Sequence, residues 1–203
     1  ELAVAVAADA GRLLVALRWS STDRDELRRA GDLRSNALIL ETLARHRPGD
    51  PILSEESTDD PSRLDSTRAW IVDPLDGTRE YGEAGRTDWA VHVALVEGGS
   101  PVAGAVALPA LDVVIGTRPA PVLPPPAGGP VRLVVSRSRP PDWADEVRDA
   151  LGARLIPMGS AGAKAMAVVR GEADVYLHDG GIHEWDTCAP VAVATAAGLR
   201  ASR

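Results

Sequence analysis

The stretch Trp70-Ile71-Val72-Asp73-Pro74-Leu75-Asp76-Gly77-Thr78 constrains this chain more than any other. Its apolar start reads as a buried strand that carries Asp73 to its mouth. Pro74 bars the residue before it from helical geometry and predicts a turn. Asp76 follows closely, so two carboxylates and the intervening carbonyl of Leu75 can converge on one hard cation. Gly77-Thr78 then opens a helix or turn whose N–H groups suit a phosphate oxygen. Mg²⁺ prefers oxygen ligands and few carboxylates, and acids concentrated without His or Cys fit it better than Zn²⁺. The same residues also fit an Asx-turn at Asp73 followed by a β-turn at Asp76-Gly77. Spacing alone leaves both readings open.

Two further segments offer acids. Leu53-Ser54-Glu55-Glu56-Ser57 closes a short apolar run from Pro51, and neighbouring strand residues point to opposite faces, so one of the two glutamates can enter a site. Glu55 is the candidate; the alternative is a solvated acidic loop with Asp59 and Asp60. Glu184-Trp185-Asp186-Thr187 begins a helix, and Asp186 in its first turn is either a ligand or a partner of the helix dipole. His178, Asp179, His183 and Glu184 form a possible transition-metal set, at a spacing that matches no established motif.

With 203 residues the chain can bury a full core, and 45% apolar against 25% charged residues is ordinary for a globular protein. Phe is absent and five Trp and two Tyr are the only aromatics, so the core must be built from Ala, Val, Leu and Ile. A net charge of −7 argues against nonspecific binding to a nucleic acid polymer or an anionic membrane. No apolar run approaches the ~20 residues of a membrane span, and no signal peptide is visible at Glu1-Leu2-Ala3-Val4. The start without Met suggests numbering that begins inside the native chain. Cys188 is the lone cysteine, as in a reducing cytoplasm.

Periodicity predicts a helix over 2–18, a loop from Ser20 to Gly31, and a helix from an N-cap at Asp32 to about Arg47. Residues 88–116 read as an antiparallel meander, and 118–130 as a proline-stiffened linker. Beyond it strands and helices alternate (131–135, 141–151, 155–157, 161–170, 175–177, 184–197), and Gly198 closes the last helix. This divides the chain into 1–118, an N-terminal α+β half, and 131–203, a C-terminal α/β half, in a layered α/β fold.

The ordered set LSEES, WIVDPLDGT and EWDTCAP resembles the signature of the lithium-sensitive, Mg²⁺-dependent phosphatases of the inositol monophosphatase-like superfamily. That group includes fructose-1,6-bisphosphatases and CysQ-type 3′(2′),5′-bisphosphate nucleotidases, and the likeness runs from about Gly31 to Gly198. It implies alternating α-β-α-β-α layers and two or three Mg²⁺ ions. Glu55, Asp73 and the Leu75 carbonyl would hold one ion, and Asp73, Asp76 and Asp186 a second. Asp32 and Thr78 would orient and deprotonate the attacking water, with Gly77 and Thr78 at the phosphate.

Ser136-Arg137-Ser138-Arg139 after a strand and the 159–164 segment GSAGAK before a helix resemble nucleotide-binding elements of the CysQ-type branch. The resemblance gives substrate roles to Ser136, Arg139, Ser160 and Lys164. The implied reaction removes the 3′-phosphate of adenosine 3′,5′-bisphosphate, with its 5′-phosphosulfate analogue as a second substrate. Inositol phosphate, fructose bisphosphate and histidinol phosphate are alternatives on the same core, and a non-catalytic regulator is a third class. The implied partner is a small phosphorylated metabolite, met by a chain that can form homodimers. Arg24, Arg28, Arg29 and Arg34 lie where the family has a mobile loop near the metals. The family continues past Gly198, so the C-terminal end is expected to be incomplete. Cys188 reads as packing.

Overall fold

The computed structural model describes residues 1–20 and 23–202. Two helices open the chain, α1 (Leu2–Arg18) and α2 (Arg24–His46). In α1 the buried positions Ala3, Val6, Ala7, Ala10, Leu14 and Leu17 fall on one stripe, as a period of about 3.6 residues requires. The segment expected to be a loop from Ser20 to Gly31 is helical from Arg24, while Ser21 and Thr22 lie outside the described residues. Asp23 is the N-cap, accepting from the N–H groups of Asp25 and Glu26. Asp32, expected to cap, therefore stands inside α2; Asp23 is equally competent as a cap and comes earlier in the chain.

Five strands follow in spatial order β1 (Ile52–Ser54), β2 (Arg68–Asp76), β3 (Ala90–Glu97), β4 (Ser100–Leu108) and β5 (Val113–Gly116). β1 pairs with β2 in parallel and the rest form the expected antiparallel meander. Between β2 and β3 lies a short helix, α3 (Thr78–Tyr81). Strand alternation sorts the sheet's two faces. Trp70, Val72, Val91, Val93, Ala105 and Ala107 pack on α1 and α2. Ala90, Ala94, Val106 and Leu108 face the other way.

The second face is covered by helices from beyond the linker. The C-terminal part contains β6 (Arg132–Ser136), α4 (Ala144–Leu151), β7 (Arg154–Met158), α5 (Ala161–Val169), β8 (Val175–Tyr176) and α6 (Glu184–Ala196). Its three strands form a parallel sheet in the order β7-β6-β8. Ala163, Met166 and Val169 of α5, with Ala189 and Val193 of α6, share one core with Ala90, Ala94, Val106 and Leu108. Gly104 permits this approach: a Cβ there would stand 3.2 Å from the Ala189 Cα. On its other side α5 packs through Ala167 against Val134 of β6. The order helices, sheet, helices, sheet is a layered α/β architecture, as expected, and accounts for the first four of the α-β-α-β-α layers. Its two sheets divide at the linker, but its central core does not. Cys188 is half-buried and packs against that core.

Candidate active site

Asp73 and Asp76 are separated by an odd offset, which on a regular strand would send them to opposite faces. The structure avoids this with a bulge rather than with the expected turn. β2 runs on through Pro74, and the pairing Asp73↔His92 is followed by Asp76↔Ala90, so β2 carries one extra residue there. Proline is tolerated at a bulge because its missing N–H is not needed in the ladder. Ser35 of α2 secures the bulge by donating its hydroxyl to the Pro74 carbonyl at 2.7 Å. Asp73, Asp76 and His92 consequently share the face covered by α5 and α6.

The Leu75 N–H donates to Asp73 Oδ1 at 3.1 Å, so the Asx-turn is present. It accounts for one oxygen only. Asp73 is fully buried, and its Oδ2 has no hydrogen-bond partner among the described residues. Burial, and then the neighbouring charges of Asp76, Glu55 and Asp186, push the Asp73 carboxyl well above the usual range. Glu55 is raised by burial and by the neighbouring charges of Asp186, Glu56 and Asp76, against its approach to Asp73. Asp186 is raised by burial and by Asp76, against the His183 N–H that reaches its Oδ2 at 2.5 Å. An orphaned buried carboxylate oxygen amid acids that repel one another fits a hard divalent cation.

Asp76 behaves differently. Burial pushes its carboxyl up, but His92, the Ser160 hydroxyl and the Gly162 N–H outweigh this and hold it at about 2. Ser160 Oγ donates to Asp76 Oδ2 at 2.6 Å and Gly162 N at 2.7 Å. His92 Nε2 lies 3.1 Å from the same oxygen, within ion-pair distance though off the axis of a good hydrogen bond. Ligand atoms of Asp73, Asp76 and His92 lie within 4.8 Å of one another and could hold a metal ion. Among the described residues, neither Glu55 nor Asp186 belongs to a trio that tight. Nor do His178, Asp179, His183 and Glu184 gather into a site.

On the opposite flank Thr78 Oγ1 is 3.3 Å from Asp32 Oδ1 and 3.1 Å from the Leu75 carbonyl. Burial raises the Asp32 carboxyl to about 7, helped by Glu56 and Glu55 and opposed by the Thr78 hydroxyl. Asp32, Ser35 and Asn36 lie on one side of α2, an i, i+3, i+4 set. Asn36 accepts from Ser54 Oγ at 2.7 Å and donates to Ser57 Oγ at 3.2 Å, which fixes the loop carrying Glu55.

The C-terminal residues divide into two groups. Ser160, at φ 49°, caps α5 by accepting from the Ala163 N–H and turns its hydroxyl to Asp76. Lys164 is buried, and burial lowers its pKa; its Nζ donates to the carbonyls of Ser160 (2.7 Å) and Gly159 (3.2 Å). Ser160 therefore braces Asp76 directly, while Lys164 is held inside on the carbonyls of the same turn. Ser136 accepts the Arg139 N–H at 3.1 Å, and Arg139 is exposed. Between them Arg137 pairs with Glu80 (2.5 Å) and Glu83 (3.0 Å), anchoring this loop beside α3. Gly77, at φ 85°, is the left-handed residue before α3, where a Cβ would meet the Asp88 carbonyl at 3.2 Å.

Sequence reasoning missed His92, Ser35, Asn36 and Asp88, whose carboxylate accepts the Gly159 N–H at 2.5 Å. The one available signal was His92 itself, a polar residue in an otherwise apolar alternating strand.

The chain matches the inositol monophosphatase family over residues 4–119 and 131–201. It is 49% identical to the 3′-phosphoadenosine 5′-phosphate phosphatase of Mycobacterium bovis, over 96% of this chain and 77% of that protein. It is 34% identical to the 3′(2′),5′-bisphosphate nucleotidase CysQ of Salmonella typhimurium, over 83% of this chain and 73% of that one. Among solved structures, CysQ from Bacteroides thetaiotaomicron superposes with a TM-score of 0.84 at 26% identity, covering 97% of this chain and 85% of that one. Inositol monophosphatase II of Staphylococcus aureus superposes at 0.83 with 18% identity, over 97% and 80%, a likeness of fold alone. With its layered fold, its acidic cluster and a match spanning nearly its whole length, the chain belongs to the inositol monophosphatase family.

Proposed function

We propose that this chain is a phosphomonoesterase that removes the 3′-phosphate of adenosine 3′,5′-bisphosphate, and of its 5′-phosphosulfate analogue, in the cytoplasm. The observation that carries the reading is the Asp32–Thr78 contact at 3.3 Å beside the Glu55, Asp73, Asp76 and Asp186 acids. Glu55, Asp73, the Leu75 carbonyl, Asp76 and Asp186 would hold Mg²⁺, two or three ions in all. When bound, such cations neutralise phosphate charge and acidify water. The chain's own residues do the rest. Thr78 Oγ1 orients the attacking water and Asp32 receives its proton. Burial is the largest cause raising the Asp32 carboxyl, the direction that a base working near neutral pH requires.

Support for the nucleotide substrate comes from relatives bearing that activity in their names, at 45–49% identity. The 131–203 part would recognise the substrate, with exposed Arg139 and half-buried Ser136 at the second phosphate, where a planar guanidinium binds bidentately. Gly77 and Thr78 would meet the scissile phosphate, and the Ser160–Lys164 turn, which Ser160 ties to Asp76, would lie against the nucleotide. The 1–118 part would supply the cation site together with Asp186, and the active unit would be a monomer or homodimer.

Phosphate release from adenosine 3′,5′-bisphosphate, inositol 1-phosphate and fructose 1,6-bisphosphate, each with Mg²⁺, chelator and Li⁺, tests this. The nucleotide should be preferred, and chelator should abolish turnover. A tenfold preference for inositol 1-phosphate, about 1.4 kcal/mol in transition-state binding, would reassign the substrate. Absence of release from every ester would leave a non-catalytic regulator.

A further inference from the structure

His92 is fully buried on β3, in the middle of the acidic face, and the reaction outlined above gives it no task. Its Nδ1 lies 3.0 Å from the Trp185 carbonyl, which can only accept, so Nδ1 carries a proton. Its Nε2 stands 3.1 Å from Asp76 Oδ2. The ring thus spans the bulged end of β2 and the residue immediately before Asp186. It belongs to the one tight trio of metal-capable side chains among the described residues, yet the space around Nε2 argues against ligation. A Cβ on Gly162 would fall 2.0 Å from Nε2, so the backbone of α5 closes over that nitrogen. Asp76 Oδ2 is in turn occupied by the Ser160 hydroxyl and the Gly162 N–H, which leaves Oδ1 as the oxygen that can turn to a cation.

We propose that His92 is a positioning residue that ties Asp76 to the Trp185–Asp186 turn, so that carboxylates from the first sheet and from α6 keep one spacing. Two independent polypeptide segments deliver those acids, and mutual repulsion drives them apart whenever cations are absent. A rigid two-ended ring between them fixes their separation in advance, which is how outer-shell contacts raise metal affinity. The proposal rests on the acids being the cation site of the proposed phosphatase.

The test uses His92→Gln and His92→Asn, because each amide reaches one end of the tie. Gln places its nitrogen near the position of Nε2 and Asn near that of Nδ1. Mn²⁺ affinity is measured by calorimetric titration without substrate, thermal unfolding in chelator, and kcat and KM at saturating Mg²⁺. Each variant should lose about tenfold in Mn²⁺ affinity, keep a chelated Tm within a few degrees of wild type, and recover most of its kcat at high Mg²⁺ with KM little changed. His92→Ala is the harsher variant, and refolding failure there leaves the amide pair to decide. Wild-type Mn²⁺ affinity in either amide variant would overturn the tie, as would an affinity loss matched by a collapse of the chelated Tm. Should wild-type protein release no phosphate while its Mn²⁺ affinity still depends on His92, the phosphatase reading fails and the tie stands.

Discussion

Thr78 Oγ1 and Asp32 Oδ1 lie 3.3 Å apart although 46 positions separate them in the chain. The contact exists because Asp32 sits inside α2, on the same side as Ser35, whose hydroxyl holds the bulge leading to Thr78. Helix register and strand irregularity are thereby locked to one another. A hydroxyl that also reaches the Leu75 carbonyl, beside a carboxyl raised to about 7, is arranged to hold a water and receive its proton.

Thr78→Ala should therefore separate chemistry from cation binding. We expect kcat to fall by about 10²-fold or more, the range for loss of general acid–base assistance, while Mn²⁺ affinity stays within about threefold. Parallel steady-state kinetics and calorimetric titration check this. Equal losses in both would place Thr78 among the residues that hold the cation.

Asp73→Asn should abolish turnover and yet stabilise the chelated protein. The wild-type carboxyl is fully buried, lacks a partner at Oδ2 and is repelled by Asp76, Glu55 and Asp186. Its amide counterpart removes that charge and keeps the acceptor for the Leu75 N–H. Thermal unfolding in chelator should show a higher Tm than wild type. A lower Tm with full activity would contradict the arrangement.

Stability of the chelated protein should fall as pH rises from 5 to 8. Asp73, Glu55, Asp186 and Asp32 all have folded pKa values above those of the unfolded chain. Each binds its proton more tightly when folded, so its contribution is complete below the unfolded value of about 4 and is lost as pH passes the folded one. His92, which faces Asp73, Asp76 and Asp186, is raised by Asp76 against the opposing effect of burial and acts in the same direction. Asp76, held at about 2, acts oppositely, but its contribution is lost only near that pH, outside the window. Unfolding scans should show Tm dropping by on the order of 5 °C across the range, and saturating Mg²⁺ should flatten the curve. A Tm that climbs with pH in chelator would refute the electrostatic account.

Gly162→Ala should be damaging far beyond the usual effect of a helical glycine. Its new Cβ would stand 2.0 Å from His92 Nε2, with backbone on one side and a fully buried ring on the other. We expect a clear drop in Tm together with weaker Mn²⁺ binding. Gly49→Ala, where nothing lies within 4 Å of the added carbon, serves as the neutral control. Indistinguishable behaviour of the two variants would show that α5 can retreat from β3.

The family was legible because the candidate ligands travel in contiguous acidic segments whose order reports it. Apart from β2 and α3, the elements from β1 to α6 lie close to where alternation and helical period place them. Pro74 misled: proline in an apolar run suggested a turn, whereas a bulge let β2 continue to Asp76. Asp32 misled because Asp23 precedes it and caps first. Ser160 and Lys164 belong to a small-residue turn before a helix, which invites an anion; the contact of Ser160 with Asp76 depends in addition on φ 49° at Ser160 and on α5 packing against β3, neither of which has a sequence signature. That His92 stands opposite Asp73 is a matter of strand register, invisible until β2 and β3 are paired.

Anomalous diffraction from crystals grown with Mn²⁺ asks whether these acids, distant along the chain, hold divalent cations. Peaks are expected among Glu55, Asp73, the Leu75 carbonyl, Asp76 and Asp186, with Thr78 and Asp32 alongside. Mn²⁺ bound elsewhere, at a concentration that supports full phosphate release, with no peak among these acids, would contradict that assignment.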